Sequence, residues 1–384
     1  MKRILSLLLL IPALPAIACR YSVRDTGFVE LGSDPYRLVL QISSSTPNSL
    51  REAFEQSAAA VFLDSNIRCS TSTDSTDGVA RLTLLSPDNR TLTVGEIPNT
   101  HSRIQMVESL ERVALSRARI QLHEDLLQSY AVLVLVEGTD SHSNLRVRAI
   151  LEEAGKAVAR LFPSMPKPID VLPPRILTVP ADSIPAESVL IWGLGMEPRP
   201  ESWPRVAVVF GRGRRVGDPI DSALLSQTLI QDRLALIGQD CECELDRSLL
   251  QGPVIPARWD AARQRTAAGS LGFDPENPLI RAEISRIVLK GPAKPSSKRS
   301  STGAFDALAL GYTEEPVDAV ETKPSSEVAV PVPKPSRASP SPPAEQPPKL
   351  TGAVLAVWIG FSGLSLVAVA FGLWLLVRSR KDRS

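Results

Sequence analysis

Apolar and polar positions divide much of the chain into strands and helices. The run YRLVLQIS at residues 36–43 predicts a strand, and a helix-period stripe follows from Leu50 to Phe62. The same order returns at 131–136 followed by 145–161, and at 205–210 followed by 219–236. Apolar strands without alternation are typical of parallel sheets covered on both faces. The pattern therefore predicts an α/β fold of layered strand-helix units with mostly parallel sheets.

A hairpin and one long helix are predicted between the first two units. VARLTLL and TLTV flank the turn SPDNR, which favours a hairpin, and Arg103 to Leu122 predicts an amphipathic helix with Ile104, Val107 and Leu110 inward. Strand, helix, hairpin and helix are compatible with a thioredoxin-like layout. A flavodoxin-like layout fits nearly as well, so the sequence does not distinguish the two.

Clustered prolines between residues 163 and 174 predict the domain boundary. They separate a first α/β domain, 19–165, from a second, 175–290. A loose internal echo pairs the unit beginning at Tyr36 with the unit beginning at Arg205. Duplication and the ordinary length of a strand-helix unit explain this echo equally well.

The two ends of the chain carry targeting patterns. Residues 1–18 combine Lys2 and Arg3, an apolar run and an Ala-Ile-Ala cleavage site, which predicts a bacterial signal peptide. The mature chain would begin at Cys19, and a partial resemblance to a lipobox makes Cys19 a lipidation candidate. Residues 351–377 are uncharged and long enough to span a bilayer, and the basic tail 378–384 follows them. We therefore predict a transmembrane helix with a cytoplasmic tail and an extracytoplasmic N-terminal part.

Composition predicts a flexible linker and gives no indication of a nucleic-acid partner. The formal net charge of the 384 residues is +1, so no nucleic-acid partner is implied. Residues 291–350 are rich in proline and serine and predict a disordered linker. Small residues along the apolar segment 351–377 also allow a homodimer through the transmembrane helix.

The stretch GQDCECELD places Cys241 and Cys243 two residues apart, on one face if it forms a strand. With Cys69 they are candidates for redox chemistry or a disulfide, and a soft-metal clamp is a further reading. The neighbouring acids disfavour a thiolate, which argues against a nucleophilic thiol. The three histidines have no metal-ligand spacing, so no metal site is assigned.

GRGRRVG at 211–217 follows a strand, but its glycines lack dinucleotide-binding spacing. Arg212, Arg214 and Arg215 are left as a solvated turn or as anion-binding candidates for lipid headgroups or an acidic partner. We identify no catalytic motif and no cofactor.

The leading hypothesis is a bacterial single-pass protein of the inner membrane that presents an α/β binding or assembly module on a flexible tether. Its expected partner is an envelope protein. The alternative is a membrane-tethered thiol-disulfide or metal-binding protein that uses the Cys-Glu-Cys pair. Whether the protein is an enzyme stays open, and the residues favour a non-enzyme.

Overall fold

A computed structural model describes the chain over residues 20–75, 78–167, 169–239, 253–289 and 305–306. These residues form a mixed α/β structure with two mixed sheets. The strands β1 to β9 are Tyr36–Gln41, Ile67–Ser72, Ala80–Leu85, Thr91–Ile97, Val132–Val136, Arg175–Val179, Arg205–Phe210, Arg214–Arg215 and Ile220–Asp221. The helices α1 to α9 are Val23–Thr26, Asn48–Val61, Arg103–Ala114, Arg117–Gln128, Ser141–Ala159, Ser188–Gly193, Gln227–Ile237, Ala261–Leu271 and Pro278–Leu289.

The two sheets repeat one strand order, β2-β1-β3-β4 in the first and β6-β5-β7-β8 in the second, where β9 also pairs with β7. In each sheet a helix, α2 or α5, links two parallel neighbouring strands. The next strand pairs antiparallel with the first, and a fourth strand pairs antiparallel with the third. The structural repeat thus matches the unit that begins at Tyr36 with the unit that begins at Val132, not with the unit at Arg205.

The prediction of mostly parallel sheets is not confirmed. Two strand pairs are parallel, β1 with β2 and β5 with β6. The five other pairs are antiparallel. Both β5 and β7 are buried along their whole length, yet they run antiparallel to each other. A continuous apolar run reports burial on both faces, and it carries no information about strand direction.

The first sheet buries only one face. Leu38, Leu40 and Leu82 lie on that face with the apolar side chains of α2 and α3. The opposite face, which we call the open face, carries alternate residues of all four strands, and none of them is buried. This alternation is the expected signature of a strand with one covered side.

The second sheet is covered on both faces. On one side Leu133 and Val208 pack with the apolar residues of α5 and α7. On the other side Val134 and Val209 pack with those of α4 and α6. The central strands therefore carry no polar alternation, because both of their faces lie in apolar surroundings.

The predicted hairpin is present as β3 and β4, but the predicted helix over 103–122 is two helices. Ser116 starts α4 by accepting a hydrogen bond from the main-chain N–H of Arg119. Ile104 is 73% exposed, while Met106 and Leu110 point into the core. The sequence pattern missed the break because serine is tolerated within helices and becomes a cap only when a partner bends the chain.

A buried ionic network holds this break together. The side chain of Glu187 accepts hydrogen bonds from the Ser116 hydroxyl and from the main-chain N–H of Ala118, 2.9 Å away. The Arg119 guanidinium, 2% exposed, donates to the carbonyls of Arg112 at 3.0 Å and of Val113 at 2.6 Å. These two carbonyls belong to the last turn of α3, where helix carbonyls lack partners within the helix.

Arg119 also donates to the Pro256 carbonyl at 3.3 Å. Because α3 packs on the first sheet and α4 on the second, the guanidinium stands where the two cores meet. Burial lowers the pKa of Arg119 to about 10, and the nearby carboxylate of Glu187 opposes this shift.

Two further segments differ from the sequence patterns. The helix predicted from Pro219 begins later, at Gln227 with Ser226 as its cap, because the intervening residues form β9 against β7. Phe305, from the predicted linker, packs against the core of the second sheet. Its main-chain N–H donates to the buried carboxylate of Asp232 at 3.1 Å.

The predicted location in the inner membrane, as a single-pass protein, is corrected. Among the described helices none is both long and apolar enough to cross a membrane. The longest, α5, has 19 residues and includes Arg146, Arg148, Glu152, Glu153 and Lys156. The segment 351–377 on which the prediction depended lies outside the described residues.

Other domain predictions lie partly or wholly outside the described ranges. This holds for the signal peptide 1–18, for nearly all of the linker 291–350 and for the tail 378–384. The division at 165–175 stays a prediction, but it does not separate the two sheets. Strand β5 precedes the division, whereas its partners β6 and β7 follow it.

The junction gives a stability prediction. Arg119→Lys keeps a positive charge, but a single ammonium nitrogen cannot occupy the separate positions of Nη1 and Nη2 that bond the three carbonyls, so it leaves buried acceptors unsatisfied. We expect a loss of about 3 kcal/mol in the free energy of unfolding. Urea denaturation measures this loss. The matched control is Arg117→Lys, two residues earlier on the exposed side of α4, and an equal loss in both variants would refute the assignment.

Candidate functional site: two strand-edge grooves

Two grooves occupy equivalent places in the two halves. Groove A, about 500 Å³, lies between α2 and β2 and is lined by Phe54, Ala58, Ala59, Phe62, Ile67 and Cys69, among others. Groove B, about 610 Å³, lies between α5 and β6 and is lined by Leu151, Gly155, Ala159, Pro173, Pro174 and Ile176, among others. Each groove therefore separates the helix that links a parallel strand pair from the outer strand of that pair.

The strands beside the grooves are sheet edges in the described part of the chain. In the first sheet Tyr36 N–H donates to the Asn66 carbonyl, and Ile42 N–H donates to the Ser72 carbonyl. Alternate residues of a parallel strand face the same neighbour, so the main-chain groups of Cys69 and Thr71 point away from β1. An edge with outward N–H and C=O groups can pair with another extended chain.

The second sheet repeats this arrangement. Arg175 N–H donates to the Ala131 carbonyl, and Glu137 N–H donates to the Val179 carbonyl. The main-chain groups of Ile176 and Thr178 are therefore directed outward along groove B. The Arg148 guanidinium donates to the Thr178 hydroxyl at 2.6 Å, which fixes one rim of this groove.

The small residues of the linking helices create both grooves. A β-carbon at Gly155 would meet the Cβ of Pro174 at 3.7 Å, an ordinary contact, so a larger side chain there would project into groove B. Ala59 is exposed on α2 and lines groove A in the same way. Sequence reasoning missed these residues, and the available signal was the pair of small residues in the second half of each helix.

A third hollow differs from the two grooves in kind. It measures about 680 Å³ and lies between α3 and α4, where its lining includes Leu115, Ser116 and Ile120. No strand borders it, so it offers helix side chains and no strand edge to a ligand. We do not regard it as a peptide groove.

The open face of the first sheet adds charge next to groove A. Arg37 and Arg68 are direct neighbours across β1 and β2, and both side chains are exposed. Neither has an ion-pair partner within the described ranges. Like charges directly opposite each other in a sheet are destabilising, by a fraction of ~1 kcal/mol. The pair therefore costs some stability and leaves two cations directed at solvent.

Cys69 lies on the groove side of β2 and is half-buried. Burial raises the pKa of its thiol to about 12, against a smaller opposite effect of Arg68. A thiol in this state is a poor nucleophile because the thiolate is the reactive form. The structure thus presents Cys69 as a groove-lining side chain.

The other cysteine candidates, Cys19, Cys241 and Cys243, lie outside the described residues. Their lipidation, redox and disulfide predictions stay predictions. The described residues contain no cluster of three or more His, Cys, Asp or Glu side chains able to hold a metal ion.

The three arginines of the glycine-rich turn do not form an exposed patch. Arg214 and Arg215 are 2% and 8% exposed, and Arg215 bonds the Leu194 carbonyl and Asp218. Arg212 forms an ion pair with Glu276 at 2.6 Å and stacks over Trp259. Burial lowers the pKa of all three guanidinium groups, Arg214 to about 10. The alternative of a solvated turn does not hold for Arg214 and Arg215, and the anion-binding role stays a prediction, with 17% of the Arg212 side chain exposed.

His123 occupies a buried site that the sequence did not single out. It is 2% exposed, its ring meets Trp259 edge-on at 5.7 Å, and its Nε2 has no described hydrogen-bond partner. Burial, followed by the nearby charges of Arg263, Arg119 and Arg212, lowers its pKa to about 3. The imidazole is therefore neutral at neutral pH, which suits packing and not proton transfer.

Comparisons with known proteins do not identify a family. No family model matches the chain, and no curated protein matches it. Among solved structures, the first two thioredoxin domains of Eps1p from Naumovozyma dairenensis are similar at 12% identity, covering 52% of this chain and 89% of that chain, with a TM-score of 0.20. This score is too low to carry an argument about fold or function.

The thiol assignment predicts slow alkylation of Cys69. In a variant with Cys19, Cys241 and Cys243 changed to Ser, iodoacetamide should react at pH 8 at least about 100-fold more slowly in buffer than in denaturant, because the raised pKa depletes thiolate. The control is Ser70→Cys with Cys69→Ser, at the exposed neighbouring position. Equal alkylation rates in buffer for Cys69 and for the thiol of the Ser70→Cys control would contradict the assignment. The same shift removes stability as pH rises from about 9 to about 12, where only the unfolded chain ionises.

His123 predicts a stability loss in acid. The unfolded chain takes up a proton below about pH 6.5, but the folded chain does so only near pH 3. Folding stability is therefore complete above about pH 6.5 and falls as pH drops towards 3, by up to about 4 kcal/mol. His123→Gln should flatten the free energy of unfolding against pH in this window. His142→Gln, at an exposed position, is the control and should retain the slope.

Proposed function

We propose that this protein is a non-catalytic binding module that holds extended segments of a protein partner along its strand edges. The observation that carries the proposal is the repeated groove beside the outward main-chain groups of β2 and of β6. Strand addition derives affinity from main-chain hydrogen bonds and specificity from pockets that receive alternate side chains. Outward main-chain groups and an adjoining groove for side chains occur together in each half of the molecule.

We further propose that both halves have a thioredoxin-like layout. Support comes from the repeated order of strand, helix, parallel strand, antiparallel pair and helix, to which the second half adds α6 between β6 and β7. A flavodoxin-like sheet is parallel throughout, and the antiparallel pairing of β3 and β7 with the central strands does not fit it. Fold alone does not assign an activity.

The chemistry of the described residues favours binding over catalysis. Reactive thiols occur at helix N-termini or beside cations. The helix starts that follow β1 and β5 are formed by Pro47 and Asp140, and neither start carries a cysteine. Asp140 accepts hydrogen bonds from the first-turn N–H groups of α5, so this end is already occupied by a carboxylate. The thiol-disulfide alternative depends on Cys241 and Cys243 and stays a prediction.

Groove-filling variants test the proposal. Random peptides displayed on phage are selected on the purified full chain, and the enriched peptides are measured against Ala59→Trp, which fills groove A, and Gly155→Leu, which fills groove B. We expect at least one of these variants to weaken each enriched peptide about tenfold or more. Calorimetry or anisotropy measures the affinities.

The matched control is Ala60→Trp, because Ala60 is exposed on α2 next to Ala59 and does not line groove A. It adds the same indole and should leave binding unchanged. Failure to enrich any peptide, or enriched peptides that ignore both groove-filling variants, would remove the proposed function.

A further inference from the structure

The two faces of β2 present different chemistry to any chain that pairs with its outer edge. Ile67, Cys69 and Thr71 direct their side chains towards α2 and groove A. Arg68 and Ser70 alternate with them and belong to the open face of the sheet, and as residues of the edge strand they also border groove A. An added strand would continue this alternation, with every second side chain facing the groove and the others facing the open face.

The groove side favours apolar side chains, although the carboxylate of Glu55, which is paired with Arg51, also lines the groove. Phe54, Ala58 and Phe62 supply an apolar wall. The Cys69 thiol is protonated there, so it behaves as a small apolar side chain. Side chains such as valine or leucine would gain by leaving water at this position.

The open-face side requires acidic side chains. Arg68 stands at the edge of the sheet, with Arg37 directly behind it in the cross-strand row. A carboxylate on an added strand would become the third member of this row, about 5 Å from Arg68. It would give the arginine pair the opposite charge that it lacks among the described residues.

The same arginines disfavour a second copy of this chain as the occupant. Two copies joined through β2 would place four arginines on one continuous sheet face, and like charges on one face repel. Charges on an edge strand are a known means of preventing self-pairing. The charge on this edge therefore disfavours pairing with a second copy of the chain and favours pairing with an acidic strand.

We propose that the edge of β2 binds an extended segment of a partner protein whose side chains alternate between acidic and apolar. The acidic side chains contact Arg68 and Arg37, and the apolar side chains enter groove A. This inference rests on the proposed function and names the class of partner segment that groove A selects.

The test uses fluorescence anisotropy with the purified full chain and a fluorescein-labelled octapeptide in which Glu and Val alternate. A second octapeptide has the same composition arranged as four Glu followed by four Val, and a third alternates Lys and Val. We expect the alternating Glu-Val peptide to bind at least about tenfold more tightly than either of the others, and its affinity to fall as salt is added.

Charge reversal identifies the residues. Arg68→Glu should weaken the alternating Glu-Val peptide at least about tenfold. The double variant Arg37→Glu with Arg68→Glu should prefer the Lys-Val peptide. Arg68→Glu places an opposite charge beside Arg37, so loss of binding cannot be attributed to a destabilised sheet. Arg146→Glu, at an exposed position on α5, is the control and should bind as the unaltered chain does.

Three results would overturn the inference. The first is an Arg68→Glu variant that binds the Glu-Val peptide within twofold of the unaltered chain, and the second is equal binding of the alternating and block peptides. The third is binding that appears only after Asp240, Glu242, Glu244 and Asp246 are changed to their amides, since the occupant would then be this chain's own acidic segment. In each case the proposed function would still hold if selected peptides lost affinity for the Ala59→Trp or the Gly155→Leu variant.

Discussion

A buried guanidinium is the contact on which the arrangement of the two cores depends. Arg119 closes the carboxyl end of α3, lies in the first turn of α4 and reaches the carbonyl of Pro256. Burying this charge is costly, and the cost is offset only because carbonyl dipoles and the nearby Glu187 surround it. One side chain thus satisfies acceptors that a helix break would otherwise leave buried and unpaired.

The two sheets on either side of this junction differ in how many of their faces are covered. The second is covered on both faces and forms the larger part of the apolar core. The first is covered on one face only, so its strands alternate between apolar and polar positions. The open face is a consequence of that single covering, and together with the edge position of β2 among the described strands it brings outward main-chain groups, an apolar groove and two arginines close together.

The equivalent grooves connect the fold to the proposed function. In both halves a helix crosses from the central strand to the edge strand, and small side chains at its far end leave space against that strand. Groove B has the same geometry, but among the described residues no pair of neighbouring arginines without ion-pair partners lies beside it, because the second sheet is covered on that face. Under the proposed function, similar topology provides two binding edges that differ in the chemistry they select.

The sequence alone determined the central strands, the hairpin and the helices α2 and α5, because burial on one side of an element repeats with the period of its apolar residues. Its prediction of mostly parallel sheets was not confirmed, since the apolar run at 131–136 has the same pattern in a parallel or an antiparallel pair. It left Arg214 and Arg215 as a solvated turn or an anion-binding patch, because only tertiary packing shows that both are buried and that Arg215 bonds the Leu194 carbonyl. Tertiary structure also decided the helix break at Ser116, whose capping depends on Glu187, seventy-one residues away in sequence. Local patterns fix local conformation, whereas edges, grooves and buried charges arise from segments that meet only when the chain has folded.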